Sequence, residues 1–121
     1  MLIAVAQSPA TAIDPQPLPV PGVIEKSAQL VGTSPAGGSL FGQAIALSGD
    51  TLAVGSSSAA ADGGVYIFER DVDGNWARTA FLEGLPPVQG GVQFGYDVAL
   101  SGDTLVASYW YMGGGQAARV Y

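Results

Sequence analysis

Apolar and polar residues alternate in short bursts along the chain, with turn residues between them. Phe41, Ile45 and Leu47 share one parity over Phe41 to Leu47, and Leu52 and Val54 continue an alternation beyond Ser48-Gly49-Asp50. A period of two marks a half-buried strand, and a short polar break containing Gly closes a tight hairpin. A third strand is predicted near Val65 to Arg70 and a fourth near Trp76 to Leu82. Between them, Asp71-Val72-Asp73-Gly74-Asn75 supplies the Asp-Gly step expected of a β-turn. The alanine-rich stretch Ser57 to Asp62 is short and runs into Gly63-Gly64, so no helix is expected.

The pattern then repeats. Phe41 to Val54 returns as Phe94 to Ala107 at an offset of 53 residues, with nine of fourteen positions identical. The flanks echo more loosely: Ile24 to Gly32 lines up with Trp76 to Gly84 at an offset of 52, and Val65-Tyr66 with Val120-Tyr121 at 55. One period of four short strands has the size of a propeller blade. The expected fold is all-β, built of four-stranded antiparallel blade units of a β-propeller, with about 1.75 repeats present. The first unit core is Phe41–Leu82, and Phe94–Tyr121 is a partial second unit within residues 23–121. Residues 1–22 read as a Pro-rich N-terminal arm or linker, because proline removes backbone donors and restricts its predecessor. So few units leave apolar sheet faces uncovered. The expectation is an excerpt of a longer array, completed by neighbouring blades in cis; a truncated product, self-association in trans and a self-contained two-layer β structure are the alternatives.

Composition narrows the function classes. Gly accounts for 18 of 121 residues, and charged residues for only 12%. The formal charge is −6, and the four cations, Lys26, Arg70, Arg78 and Arg119, are far apart in sequence. No basic patch follows from that spacing, so no nucleic-acid partner is expected. With neither Cys nor His, disulfides, thiol nucleophiles and imidazole chemistry are absent. Met1 to Ala6 is too short to span a bilayer and lacks a basic flank, so neither membrane insertion nor a clear signal peptide is read there.

Phe41-Gly42 with Ala46 to Gly55, followed by Val65 to Arg70 and Trp76, closely resembles the FG-GAP repeats of bacterial secreted and surface proteins. Those repeats are related to the propeller repeats of integrin alpha subunits. The resemblance spans about residues 23–121 and recurs in the second copy. It implies a propeller, secretion or a cell-surface location, and a non-catalytic role in adhesion or protein interaction, with a protein or surface polymer as partner. A non-catalytic portion of a secreted propeller enzyme acting on glycans, and a purely structural scaffold, are the alternative readings. The integrin-like form binds calcium in a longer acidic loop. Here only Ser48-Gly49-Asp50 and Ser101-Gly102-Asp103 join the strands, and one carboxylate per turn cannot supply six to eight oxygens, so no cofactor is expected.

The candidate residues fall into three groups. Phe41, Gly42, Asp50 and their repeats Phe94, Gly95, Asp103 form the structural signature: rings for sheet interfaces, glycines for close approach, aspartates for turns. Asp71, Asp73 and Asn75 are the densest oxygen cluster and the weak candidates for a metal, although the closing Glu of a calcium loop is missing. Tyr109, Trp110 and Tyr111 form an aromatic run before three glycines, and such residues favour interfaces. No catalytic residue is read: Asp50 and Asp103 are explained by their turns, and nothing can activate Ser48 or Ser101.

Overall fold

A computed structural model of the chain describes Gly22, Lys26 and residues 28–32, 38–59, 62–84 and 91–121. Except for Gly22, the proline-rich stretch lies outside the described residues, as do Ile24, Glu25 and Ser27 of the flanking echo. Seven strands follow in order: β1 (Phe41–Ser48), β2 (Thr51–Ser56), β3 (Gly64–Arg70), β4 (Trp76–Glu83), β5 (Val92–Ser101), β6 (Thr104–Tyr111) and β7 (Gln116–Val120). They form two antiparallel sheets, β1-β2-β3-β4 and β5-β6-β7. The described residues contain no helix. The fold is all-β, as the alternation requires.

Hydrogen-bond register shows the repeat more sharply than sequence does. The hairpins close identically, Ser48 opposite Thr51 and Ser101 opposite Thr104. Their glycines, Gly49 and Gly102, have φ of 58° and 55°, the left-handed first position that a two-residue hairpin loop of this type demands. In β1 the pairing jumps from Phe41↔Ser56 to Ala44↔Gly55, and in β5 from Phe94↔Tyr109 to Val98↔Ala107. Each jump inserts two extra residues beside Gly42 or Gly95, whose φ values are 88° and 81°. The Phe-Gly dipeptide thus encodes a bulge that bends the strand. The third strands correct the looser echo. Ala53 pairs with Ile67 and Val106 with Val120, while Leu105 exchanges both backbone hydrogen bonds with Tyr121, as Leu52 faces Phe68. Val120-Tyr121 is therefore the counterpart of Ile67-Phe68, and the offset stays at 53.

The sheets stack through β5, which lies across β1 and β2. Ala53 and Val65 of the first sheet meet Val92, Phe94, Val98, Leu105, Ala107 and Tyr109 of the second. Burying this apolar set supplies the main drive for stacking. Phe94 is fully buried, with its ring 4.7 Å from that of Tyr109. The opposite face of the first sheet carries Val54, Tyr66 and Phe68, packed with Leu30, Phe41 and Phe81. Along β1 that face is open: Ile45 is 67% exposed, whereas its counterpart Val98 is 8% exposed beneath the first sheet. Stacking has covered one copy of a repeated apolar position and left the other in solvent.

Candidate functional site: the far face of the second sheet

The contact between the sheets is a seat for the Phe-Gly bulge. The Phe94 N–H donates to the Asp62 carbonyl at 2.8 Å, and the Gly84 N–H to the Gly63 carbonyl at 3.3 Å. Phe94 and Gly63 form a parallel bridge between the sheets. The backbones are so close that a β-carbon at Gly55 would collide with the Gly95 carbonyl, and one at Gly63 with the Phe94 backbone. The seat is made of glycine because nothing larger fits under the bulge.

The register places a counterpart of this seat on the far face of β5-β6-β7, and there it has been rebuilt. Ser108 stands at the position of Gly55, Trp110 at that of Ser57 and Gln116 at that of Gly63. Within the repeat of β1, Tyr96 and Asp97 take the places of Gln43 and Ala44. Side chains alternate across a strand, so with Leu105, Ala107 and Tyr109 turned to the core, Ser108 and Trp110 face away from it. The result is a groove of about 580 Å³ whose lining includes Tyr96, Asp97, Ser108, Trp110, Gln116 and Ala118. The Tyr96 and Trp110 rings stack with centroids 6.4 Å apart and planes at 26°.

Local hydrogen bonds hold this groove in shape. The Asp97 N–H donates to Ser108 Oγ at 3.0 Å, and the Val98 N–H to Asp97 Oδ1 at 2.9 Å. The Gly115 carbonyl, counterpart of the Asp62 acceptor, receives the Tyr111 N–H of its own hairpin at 2.9 Å. A further Phe-Gly bulge would thus find its glycine floor filled and its anchoring acceptor engaged. Asp97 is the one charged residue of the lining. Neither Tyr96 nor Asp97 nor Gln116 stands out in the sequence alone. The signal was there, however, in the positions where an otherwise matching repeat differs.

The remaining candidates are scattered. Of the aromatic run, Trp110 lies on the groove side, while Tyr109 is buried in the core and its ring stacks with Tyr111 at 6.3 Å. Burial pushes the Tyr109 hydroxyl above its ordinary pKa. Asp71, Asp73 and Asn75 sit together in the β3–β4 turn, where Asp71 Oδ1 accepts the N–H groups of Asp73 at 2.9 Å and Asn75 at 2.8 Å. Those amides, that of Asn75 foremost, hold the Asp71 carboxyl below its ordinary value. This is an Asx turn, with the carboxylate occupied by backbone donors. Among the described residues, no group of three or more acidic side chains is gathered as a metal site. Asp50 does more than turn the chain: Arg70 Nε and Nη2 donate to its Oδ1 at 2.8 and 2.6 Å, tying the hairpin to the end of β3. The Gly102 N–H reaches Ser48 Oγ at 3.0 Å, so the two equivalent hairpins lie side by side.

The model of the FG-GAP repeat family matches residues 25–68. No curated protein and no solved structure gives a match. No helix among the described residues is long and apolar enough to cross a membrane. The matched span holds the Phe41-Gly42 bulge, the Ser-Gly-Asp hairpin and most of β3, the features that recur at β5 to β7. Residues 25–68 thus match the FG-GAP repeat, and the second sheet restates the same design.

Proposed function

We infer that the two sheets are successive blade-like units of a propeller-type array, serving as a non-catalytic interaction module on the outside of a cell. The groove on the far face of β5-β6-β7 is the surface through which this module meets a partner protein. The rebuilt seat carries this reading: Ser108 and Gln116 replace Gly55 and Gly63, the glycines that on the first sheet receive the Phe94-Gly95 bulge, and Trp110 stands between them in place of Ser57. An aromatic pair beside a few placed polar groups is the usual make-up of a recognition site. Of the two carboxylates weighed for catalysis, Asp50 is engaged by Arg70, and Asp103 holds the equivalent hairpin position. The resemblance to repeats of bacterial surface proteins supports an adhesive role.

The test is a binding screen of the purified chain against arrays of peptides and oligosaccharides, repeated with Trp110→Ala and Tyr96→Ala. The expected result is that the hits of the native chain are lost in both variants while their far-ultraviolet circular dichroism is unchanged. Hits that survive both substitutions would place the contact surface elsewhere and overturn the reading.

A further inference from the structure

We propose that the groove on the far face of β5-β6-β7 receives an arginine side chain from an exposed segment of a partner protein, its guanidinium resting on Trp110 and paired with Asp97. This rests on the groove being the contact surface. The choice of guest follows from charge and shape. Asp97 is the only charged residue of the lining, and among the described residues its Oδ2 has no hydrogen-bond partner. Asp97 is exposed and in no ion pair among the described residues, where the salt bridge is that of Arg70 with Asp50. A chain of net charge −6 repels anionic guests and draws cationic ones.

Trp110 and Tyr96 supply aromatic faces, and tryptophan is the strongest aromatic partner for a cation. A guanidinium is planar: it stacks on an indole while its N–H fork meets a carboxylate, which an ammonium cannot do with one geometry. The molecule already uses this grammar at its surface. Arg70 lies 5.5 Å from the centre of the Trp76 ring while it donates to Asp50. Trp110 with Asp97 presents the receiving half of the same arrangement, with no arginine of the lining to fill it. Gln116 remains for the peptide backbone of the guest, and Ser108, whose Oγ accepts the Asp97 N–H, keeps its own O–H to donate.

The experiment is a nuclear magnetic resonance titration of the isotope-labelled chain with the capped peptide Gly-Ser-Arg-Ser-Gly, following the Trp110 indole N–H and the Ser108 and Ala118 amides. Those signals are expected to shift in a saturable way. The same peptide with citrulline, the uncharged isostere of arginine, should bind about tenfold more weakly, and so should the arginine peptide to Asp97→Asn. Equal binding of the two peptides overturns the guanidinium assignment. If chitohexaose or cellohexaose moves the groove signals and the arginine peptide does not, the groove is a glycan site. That result removes the proposal and keeps the interaction surface. If none of the three probes moves them, the proposal falls. If the hits of the array screen also survive Trp110→Ala, the reading of the groove as a contact surface falls with it.

Discussion

The seat under the Phe-Gly bulge makes Gly55→Ser the most informative single substitution, because serine is what the second sheet carries at the counterpart position. A β-carbon at Gly55 would run into the Gly95 carbonyl, and the next atoms it would meet are the Gly95 carbonyl carbon and the Ala44 side chain. The obstacle is backbone in a bulge pinned by the Phe94–Asp62 hydrogen bond, so it cannot swing aside as a flexible side chain would. Overpacking of this kind costs about 1–3 kcal/mol, and a backbone obstacle puts the cost at the upper end, about 2–3 kcal/mol. For a domain of this size each kcal/mol moves the thermal midpoint by about 4 °C, so the expected loss is roughly 8–12 °C. The control adds bulk at the counterpart: Ser108→Thr keeps the hydroxyl, meets an open groove and should stay within about 0.5 kcal/mol. Urea denaturation followed by tryptophan fluorescence and circular dichroism measures both. A Gly55→Ser chain within about 0.5 kcal/mol of the native protein would show that the sheets do not stack through this seat. An equal loss from both variants would show that the two faces do not differ.

Two further outcomes follow from the same geometry. Phe94→Ala should cost about 3–5 kcal/mol in a denaturation experiment, the range for removing a fully buried ring, and Phe41→Ala only about half as much. The sequence makes these positions equivalent, but Phe94 lies between two sheets and Phe41 is half-buried, so equal costs would contradict the stacking. The Asp71 carboxyl should titrate below its ordinary value of 3.8 when followed by nuclear magnetic resonance, because turn amides favour its charged form. Its folded pKa is depressed, so its support of the β3–β4 turn is complete above the ordinary value and lost as pH falls through the lower folded one. Asp71→Ala should abolish that acid-side change, while a titration at or above 3.8 would remove the Asx turn from the account.

Much of the fold was legible in the sequence because it is written in local terms. Period-two alternation placed β1 to β4, and Ser-Gly-Asp fixed two hairpins whose glycines need a left-handed φ. Residue likeness places the third strand of the second unit two residues out of register, since Val120-Tyr121 looks like Val65-Tyr66 while the hydrogen bonds pair it as Ile67-Phe68. Register is set by the hairpin and not by residue likeness. The groove was hidden for another reason. Five of its lining positions, on three strands, become meaningful only beside the residue that the first sheet holds there. Identities in the repeat revealed the scaffold, and the differences at Tyr96, Asp97, Ser108, Trp110 and Gln116 marked the site. Of the aromatic run, Trp110 turns to the groove, whereas Tyr109 and Tyr111 pack with the core.

The central claim is that one seat is filled and its counterpart is open, and solvent accessibility tests it directly. The measurement is the relaxation enhancement that a soluble gadolinium chelate imposes on the backbone protons of the native chain. Gly55 and Gly63 are predicted to be shielded beneath Phe94 and Gly95, and Ser108, Trp110 and Gln116 to be relaxed by the probe. If Ser108 and Gln116 were as shielded as Gly55 and Gly63, the far face of the second sheet would be covered in solution, and the groove would be an interface already taken.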